Sequence, residues 1–109
     1  MSVYLFADGN SCSVRNNLGA NGSVVLQHNN AIAGDNGQVC TTVKFTGDRG
    51  SNASSNTIHV MVYCFDATGR CLIDSKSITV KMDGTIAYAC FNVEKNKSYT
   101  FRVSDAYCQ

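Results

Sequence analysis

The chain of 109 residues contains no proline and no tryptophan, and glutamate occurs only once, at Glu94. Without proline, the turns have to be formed by glycine and asparagine. Four leucines and one glutamate are few for a helical protein, because helices favour these residues. A hydrolase site built from paired carboxylates would need aspartates from separate turns, and no spacing selects such a pair.

Charge and hydropathy argue against a nucleic-acid partner and against a membrane-spanning segment. Nine Lys and Arg against eight Asp and Glu give a formal net charge of +1, whereas phosphate binding needs a clustered basic surface. The longest apolar runs, such as Ile58 to Phe65, are too short to cross a bilayer. The first residues show no charged leader before a long apolar stretch. We expect no nucleic-acid partner and no membrane span.

The residues that are abundant predict strands joined by tight turns. Eleven valines and ten Phe and Tyr suit a half-buried pleated surface. Eleven Asn, eleven Ser, eight Thr and nine Gly make up over a third of the chain and supply turns. Strands are predicted at residues 2–6, 23–28, 38–46, 57–65, 70–80, 85–93 and 98–107. Residues 7–13 read as a polar loop, and Asn36-Gly37 as a type I′ hairpin turn.

These features predict one all-β domain over residues 1–109. The expected architecture is a single antiparallel β-sandwich, immunoglobulin-like or jelly-roll-like, with seven or eight strands and disulfide staples. In strand 38–46, Val39, Val43 and Phe45 share the buried face. Strand 57–65 is apolar on both faces, which predicts a central strand covered on both sides.

Six cysteines indicate an oxidising compartment, because small secreted domains gain stability from cross-links. Six cysteines allow 15 pairings, and the sequence does not choose among them. No two are spaced as CxxC, and neither His28 nor His59 has a cysteine at zinc-finger spacing. We therefore predict no metal site and no cofactor.

The positions of the cysteines nevertheless suggest pairings. A turn at residues 66–69 places Cys64 opposite Cys71, within disulfide range, with two buried free thiols as the alternative. Cys40 falls on the polar face of its strand, and Cys90 is the natural choice for a staple across the two sheets. Cys12 and Cys108, near the ends, either pair with each other or bond to neighbouring copies.

Residues 60–80, VMVYCFDATGRCLIDSKSITV, are followed later by Tyr99-Thr-Phe-Arg-Val103. This order of strand, Asp-containing turn, strand with a Lys-Ser pair and closing aromatic strand resembles bacterial immunoglobulin-like and fibronectin type III-like modules over about residues 58–105. The resemblance implies a β-sandwich accessory or surface module without catalytic residues. The chain departs from those modules at Cys64 and Cys71, which flank the turn.

Residues suited to catalysis are sparse. A triad needs a nucleophile, a base and an acid within hydrogen-bond reach. His59 falls in a predicted central strand, His28 falls at a strand end, and the acidic residues are spread over turns. We predict that the protein is not an enzyme.

The polar loops offer ligand and glycan positions. The possible ligand-loop residues are Asp8, Asn10, Asp35, Asn36, Asp48 and Asn52. Residues 8–11 resemble the start of a calcium loop, but its twelfth position is Gly19 instead of a bidentate Glu. The glycosylation sequons begin at Asn21, Asn52 and Asn96. Ordinary turn hydrogen bonding explains these loops equally well.

The sequence thus predicts a non-enzymatic structural or adhesive protein, secreted or on a virion or cell surface. The leading hypothesis is a self-assembling subunit of a fibre, filament or coat, or a protein that binds a surface partner through strand edges and disulfide cross-links. The alternative is a carbohydrate-binding, lectin-like module, in which loops and aromatics contact a glycan. A secreted toxin or inhibitor is a minor alternative.

Overall fold

The structure, a computed structural model, describes residues 9–15, 19–50 and 57–103. Within these ranges the chain forms eight strands and no helix, so the all-β prediction is confirmed. In particular, none of these residues belongs to a helix long and apolar enough to cross a membrane. The strands are β1 (Ser11–Arg15), β2 (Asn21–Leu26), β3 (Asn30–Ile32), β4 (Gln38–Asp48), β5 (Thr57–Asp66), β6 (Leu72–Lys81), β7 (Ala87–Asn92) and β8 (Ser98–Val103).

The eight strands form two sheets of four, as expected of a β-sandwich. One sheet has the order β1-β2-β4-β7 and the other β3-β8-β5-β6, with every pairing antiparallel. The chain crosses between the sheets several times, for example from β3 to β4 and from β6 to β7. Most neighbouring strands are therefore distant in sequence.

The core lies between the sheets and consists of valines and aromatics. Phe91 of β7 and Phe101 of β8 come from opposite sheets, and their ring centroids lie 6.1 Å apart in a stacked arrangement. Val43 and Val60, also from opposite sheets, are fully buried. Burial of these side chains supplies the main free energy that holds the two sheets together.

The predicted alternation holds in β4 and β8. On β4 and β8 every second residue is buried and the residues that alternate with them are exposed or half-buried; the buried set is Val39, Thr41, Val43 and Phe45 on β4 and Tyr99, Phe101 and Val103 on β8. β5 differs from the prediction, because His59 is exposed on its outer face. That face is only partly covered, so β5 is central within its sheet but not enclosed on both sides.

Two strands were missed in the sequence, and one turn was misread. β1 lies within and beyond the predicted polar loop 7–13, and β3 within a predicted connection. Asn36-Gly37 joins strands of different sheets, and only Gly37 of the pair has a positive φ, at 70°. It is therefore not a type I′ hairpin turn. The predicted strand 2–6 lies outside the described residues.

Candidate functional site: an open strand edge and the groove beside it

The longest strand at a sheet edge, among the described residues, is β6. This ten-residue strand has β5 on one side and, among the described residues, no strand on the other. From Leu72 to Ser77 every residue except Ser75 is exposed, and Leu72 and Ile73 are each 45% accessible. Both faces of this half of the strand therefore meet solvent, which is unusual for a strand that carries two large apolar residues.

The direction of the β6 backbone groups follows from the pairing of the neighbouring strands. The N–H and C=O of Val103 both bond to Gly9, so they point away from β5. Val62 lies opposite Val103 and must therefore direct its own N–H and C=O to Lys76 on β6. The backbone groups of Lys76 thus face β5.

Backbone groups alternate along a strand, so those of Ser75, Ser77 and Thr79 face the open side of β6. The Ser75 N–H donates to the Oδ1 of Asp74 at 2.8 Å, which is consistent with a direction away from β5. The open side of β6 thus presents a row of donors and acceptors to an incoming strand.

Two charged side chains lie on the inner side of this edge. Asp74 and Lys76 pair with Cys64 and Val62, whose side chains are buried, so both project to the core side of their sheet. The Lys76 ammonium donates to the Cys90 carbonyl on β7 at 2.6 Å and lies 5.8 Å from the centroid of the Phe91 ring. A charge that points inward at a sheet edge opposes uncontrolled strand addition.

A β-bulge opens a groove at the start of β6. The β5–β6 register shifts between Cys64, which pairs with Asp74, and Phe65, which pairs with Leu72. Ile73 is the extra residue, and bulges often redirect a side chain in this way. It lines a groove of about 660 Å³ between the β5–β6 and β7–β8 turns.

The floor of this end groove is apolar and its rim is charged. The Tyr99 hydroxyl accepts from the Glu94 N–H at 3.0 Å and donates to the Glu94 carbonyl at 3.3 Å. The Glu94 carboxylate pairs with the Lys97 ammonium, and the hydrogen bond and charge of this pair lower the pKa of Glu94 and raise the pKa of Lys97. On the other rim, a hydrogen bond from Thr68 lowers the pKa of Asp66. These rim groups are ionised at neutral pH.

One disulfide joins Cys40 of β4 to Cys90 of β7. The two residues are directly opposite with a Cα–Cα distance of 4.0 Å, close to the spacing of a pair without mutual backbone hydrogen bonds. The bridge lies on the outer face of one sheet. The expectation that Cys90 would link the two sheets is therefore wrong, whereas the placement of Cys40 on the polar face is correct.

The remaining cysteines follow the predictions only in part. Cys64 and Cys71 are free thiols, which was the alternative to their pairing, because the connection between β5 and β6 is longer than predicted and Asp74 lies opposite Cys64. Cys64 is fully buried. This burial, and to a smaller extent the negative charge of the nearby Asp74, raises the pKa of the Cys64 thiol to about 11. Cys71 is exposed. Cys12 is fully buried and already disulfide-bonded, so it is unavailable to a neighbouring copy; Cys108 lies outside the described residues.

The predicted ligand-loop residues do not form one site. Asn36 accepts from the Gln38 N–H just before β4, and Asp48 accepts from the Gly50 N–H at its end. The ten steps between the eleven residues of β4, at about 3.3 Å each, place its ends about 33 Å apart. Asp35 lies in the same turn as Asn36, and Asn10 borders a small polar groove beside His28. Asp8 and Asn52 lie outside the described residues.

The sequon asparagines have different settings. Asn21 is the exposed first residue of β2, not a loop residue. Asn96 is exposed in the β7–β8 turn and has a positive φ of 62°. Both side chains are accessible to modification.

The two histidines lie on different sheets or at their ends, and the contacts described for them include no carboxylate. His59 is exposed on β5, with its Nδ1 3.4 Å from the Thr79 hydroxyl. The His28 carbonyl accepts from the Thr41 hydroxyl, and its ring lies beside the small polar groove. Across the three described ranges, no group of three His, Cys, Asp or Glu side chains is placed to hold a metal ion.

Comparison of the chain with protein-family models, curated proteins and solved structures gave no match. The site therefore rests on geometry. Sequence reasoning missed the β6 edge and the end groove. The only sequence signal of this edge is that apolar and polar residues do not alternate cleanly over residues 72–77, where Leu72 and Ile73 are adjacent and Asp74 and Lys76 follow.

Proposed function

We propose that this chain is a non-enzymatic structural or adhesive β-sandwich that acts outside the cell or on a particle surface. It associates with copies of itself by strand addition, as subunits of a fibre, filament or coat do. The observation that carries this proposal is the β6 edge, whose open side faces no other strand of the described ranges and lies next to the exposed Leu72 and Ile73.

The disulfide supports a location outside reducing compartments. Cys40 is exposed and Cys90 half-buried, so reductants of a cytosol would reach the bridge. Few like charges oppose contact between copies, since the formal net charge is +1. The proposal includes no cross-link between copies through Cys12, because Cys12 is fully buried and already disulfide-bonded.

Sedimentation velocity tests self-association on the full chain without reductant, from about 1 µM to about 1 mM. Cys71→Ser serves as the matched control, because its thiol is exposed and free and would otherwise form adventitious covalent dimers. We expect reversible oligomers whose fraction rises with concentration in both proteins. A monomer throughout that range in both proteins contradicts the proposal.

A glycan-binding module is the second candidate, and the end groove favours it. Its apolar floor includes Ile73 and Val93, and its rim offers the oxygens of Asp66, Thr68 and Glu94. A sugar ring has an apolar face and hydroxyls that match such a surface. Binding on a glycan array, with and without calcium, that Ile73→Asp abolishes and Ile86→Asp retains supports this candidate. An array without hits contradicts it.

A further inference from the structure

Asp74 and Lys76 lie on the free edge of β6, placed symmetrically about Ser75, while the other charged residue of the strand, Lys81, lies at its end. Asp74 precedes Ser75 and Lys76 follows it, and both project to the core side of the sheet. Within the described residues neither is part of an ion pair; the Glu94–Lys97 pair is elsewhere. Asp74 is occupied locally by the Ser75 N–H and Lys76 by the Cys90 carbonyl.

We propose that two copies of this chain pair antiparallel through their β6 edges, with Ser75 opposite Ser75 and Asp74 of each copy opposite Lys76 of the other. The inference rests on the self-association proposed above and specifies its surface and register. A two-fold axis through the Ser75 pair generates both contacts at once, as in an isologous interface.

The backbone directions allow this register. The N–H and C=O of Ser75 face the open side, so two opposed Ser75 residues exchange both of their hydrogen bonds. Ser77 of each copy lies opposite Ile73 of the other. The bulge at Ile73 ends the regular ladder there, so the residues nearest the axis decide the alignment.

The charges select this register over its neighbours. If the axis moves to residue 74, Asp74 lies opposite Asp74; if it moves to residue 76, Lys76 lies opposite Lys76. Like charges directly opposite on paired strands are destabilising, and opposite charges are favourable. The inward charges that guard this edge against indiscriminate pairing are therefore complementary in one register only.

Charge reversal tests the inference, in a Cys71→Ser background and by sedimentation equilibrium. Asp74→Lys places a lysine of each copy opposite Lys76 of the other, and Lys76→Asp places an aspartate of each copy opposite Asp74 of the other. Each single change should raise the dimer Kd about tenfold or more, since two favourable pairs become two repulsive ones. The double variant D74K/K76D should restore dimers, and so should a one-to-one mixture of the two single variants.

Lys44→Asp is the matched control, because Lys44 is an exposed strand residue on the other sheet. It should leave the dimer Kd within about twofold. Ser75→Pro is the backbone test: it removes the central N–H without removing a β5–β6 hydrogen bond, and it should abolish the dimer.

The outcomes separate the two proposals. If wild type dimerises while both single reversals behave like Lys44→Asp, or if neither the double variant nor the mixture recovers, the β6 register is wrong and self-association remains. If wild type is monomeric throughout, self-association itself is wrong. Circular dichroism melts of each variant identify a single change that unfolds the chain, and in that case the double variant and Ser75→Pro decide.

Discussion

β6 and β7 are edge strands of opposite sheets that lie beside each other, yet they are secured in different ways. β7 has six residues; it is bonded to β4 through Cys90, and its Phe91 stacks on Phe101 of the other sheet. β6 has ten residues, of which only Val80 is fully buried, and a bulge interrupts its pairing with β5. The cross-link thus reinforces the shorter, better-packed edge strand, whereas the longer edge strand is held only by its interrupted pairing with β5 and by side chains that are mostly exposed.

Truncation of one core residue on each strand should expose this difference most clearly. Phe91→Ala should lower the free energy of unfolding by about 3–5 kcal/mol, because it removes a fully buried ring. Ile78→Ala on β6 should cost about 1–2 kcal/mol, because Ile78 is only half-buried. Urea unfolding of the oxidised proteins measures both, and equal losses would mean that β6 is held as firmly as β7.

The second difference between the two edge strands is the disulfide on β7, and its removal tests how much it stabilises the fold. The bond between Cys40 and Cys90 joins residues 50 apart in sequence, so the double change to serine should cost about 2–4 kcal/mol through the entropy of the unfolded chain. Cys71→Ser, an exposed free thiol on the other edge, should change the free energy of unfolding by less than about 0.5 kcal/mol. If C40S/C90S unfolds at the wild-type urea concentration, the bridge does not stabilise the β7 edge.

The same contrast shows what the sequence could predict. Strands such as β4 and β8 were predictable because alternation with period two is a local signal. β3 was not, because three residues are too few for that signal, and β1 was not, because its buried positions carry only Cys12 and Val14 between two serines and Arg15. Cys40 falls on the polar face by alternation alone, but its partner depends on β4 lying beside β7, a long-range pairing that no local pattern encodes.

The β6 edge was hidden for a further reason. A turn at residues 66–69 is predicted correctly, yet the strand after it pairs two residues later than expected, with Leu72 opposite Phe65. The extra residue at Ile73 adds one more, which places Asp74 opposite Cys64 in place of Cys71. The bulge adjoins the buried ring of Phe65, over which Arg102 lies at 5.5 Å. The candidate site therefore depends on tertiary structure that the sequence pattern does not show.

The two free thiols around the β5–β6 turn should react very differently. Iodoacetamide should label Cys71 in the folded protein and Cys64 only after unfolding, because Cys64 is fully buried. A pKa of about 11 in place of 9.0 also lowers the thiolate fraction of Cys64 about 100-fold near neutral pH. Peptide mass spectrometry at timed intervals measures both rates, and equal labelling would show that the β6 half of the sheet opens readily.

Because the pKa of Cys64 is raised, the free energy of unfolding should depend on pH in the alkaline range. The thiol is favoured over the thiolate by folding, so its contribution is complete below pH 9 and is lost as pH rises toward 11. Cys64→Ala should flatten this part of the stability profile, whereas Cys71→Ser should leave it unchanged. A profile that is the same in wild type and Cys64→Ala contradicts the assignment.

The smallest effects are expected from substitutions in the turns at the two ends of β6. Asp66 accepts from the Thr68 hydroxyl at 2.6 Å before β6, and Asp83 accepts from the Thr85 hydroxyl after it. These hydrogen bonds are the first cause that lowers the pKa of each aspartate below 3.8. Thr68→Val and Thr85→Val should each raise the pKa of the neighbouring carboxyl, as carboxyl NMR titration would show.

The lowered pKa values of Asp66 and Asp83 determine how stability changes with pH in the acidic range. Each ionised aspartate favours the folded state above pH 3.8, and that contribution is lost as pH falls through the lowered value. Asp66 keeps hydrogen bonds from the Arg70 and Cys71 N–H groups after Thr68→Val, whereas Asp83 keeps only that of residue 85 among the bonds described. Thr85→Val should therefore give the larger rise, and a larger rise for Asp66 would mean that its backbone donors are too long to hold the turn that starts β6.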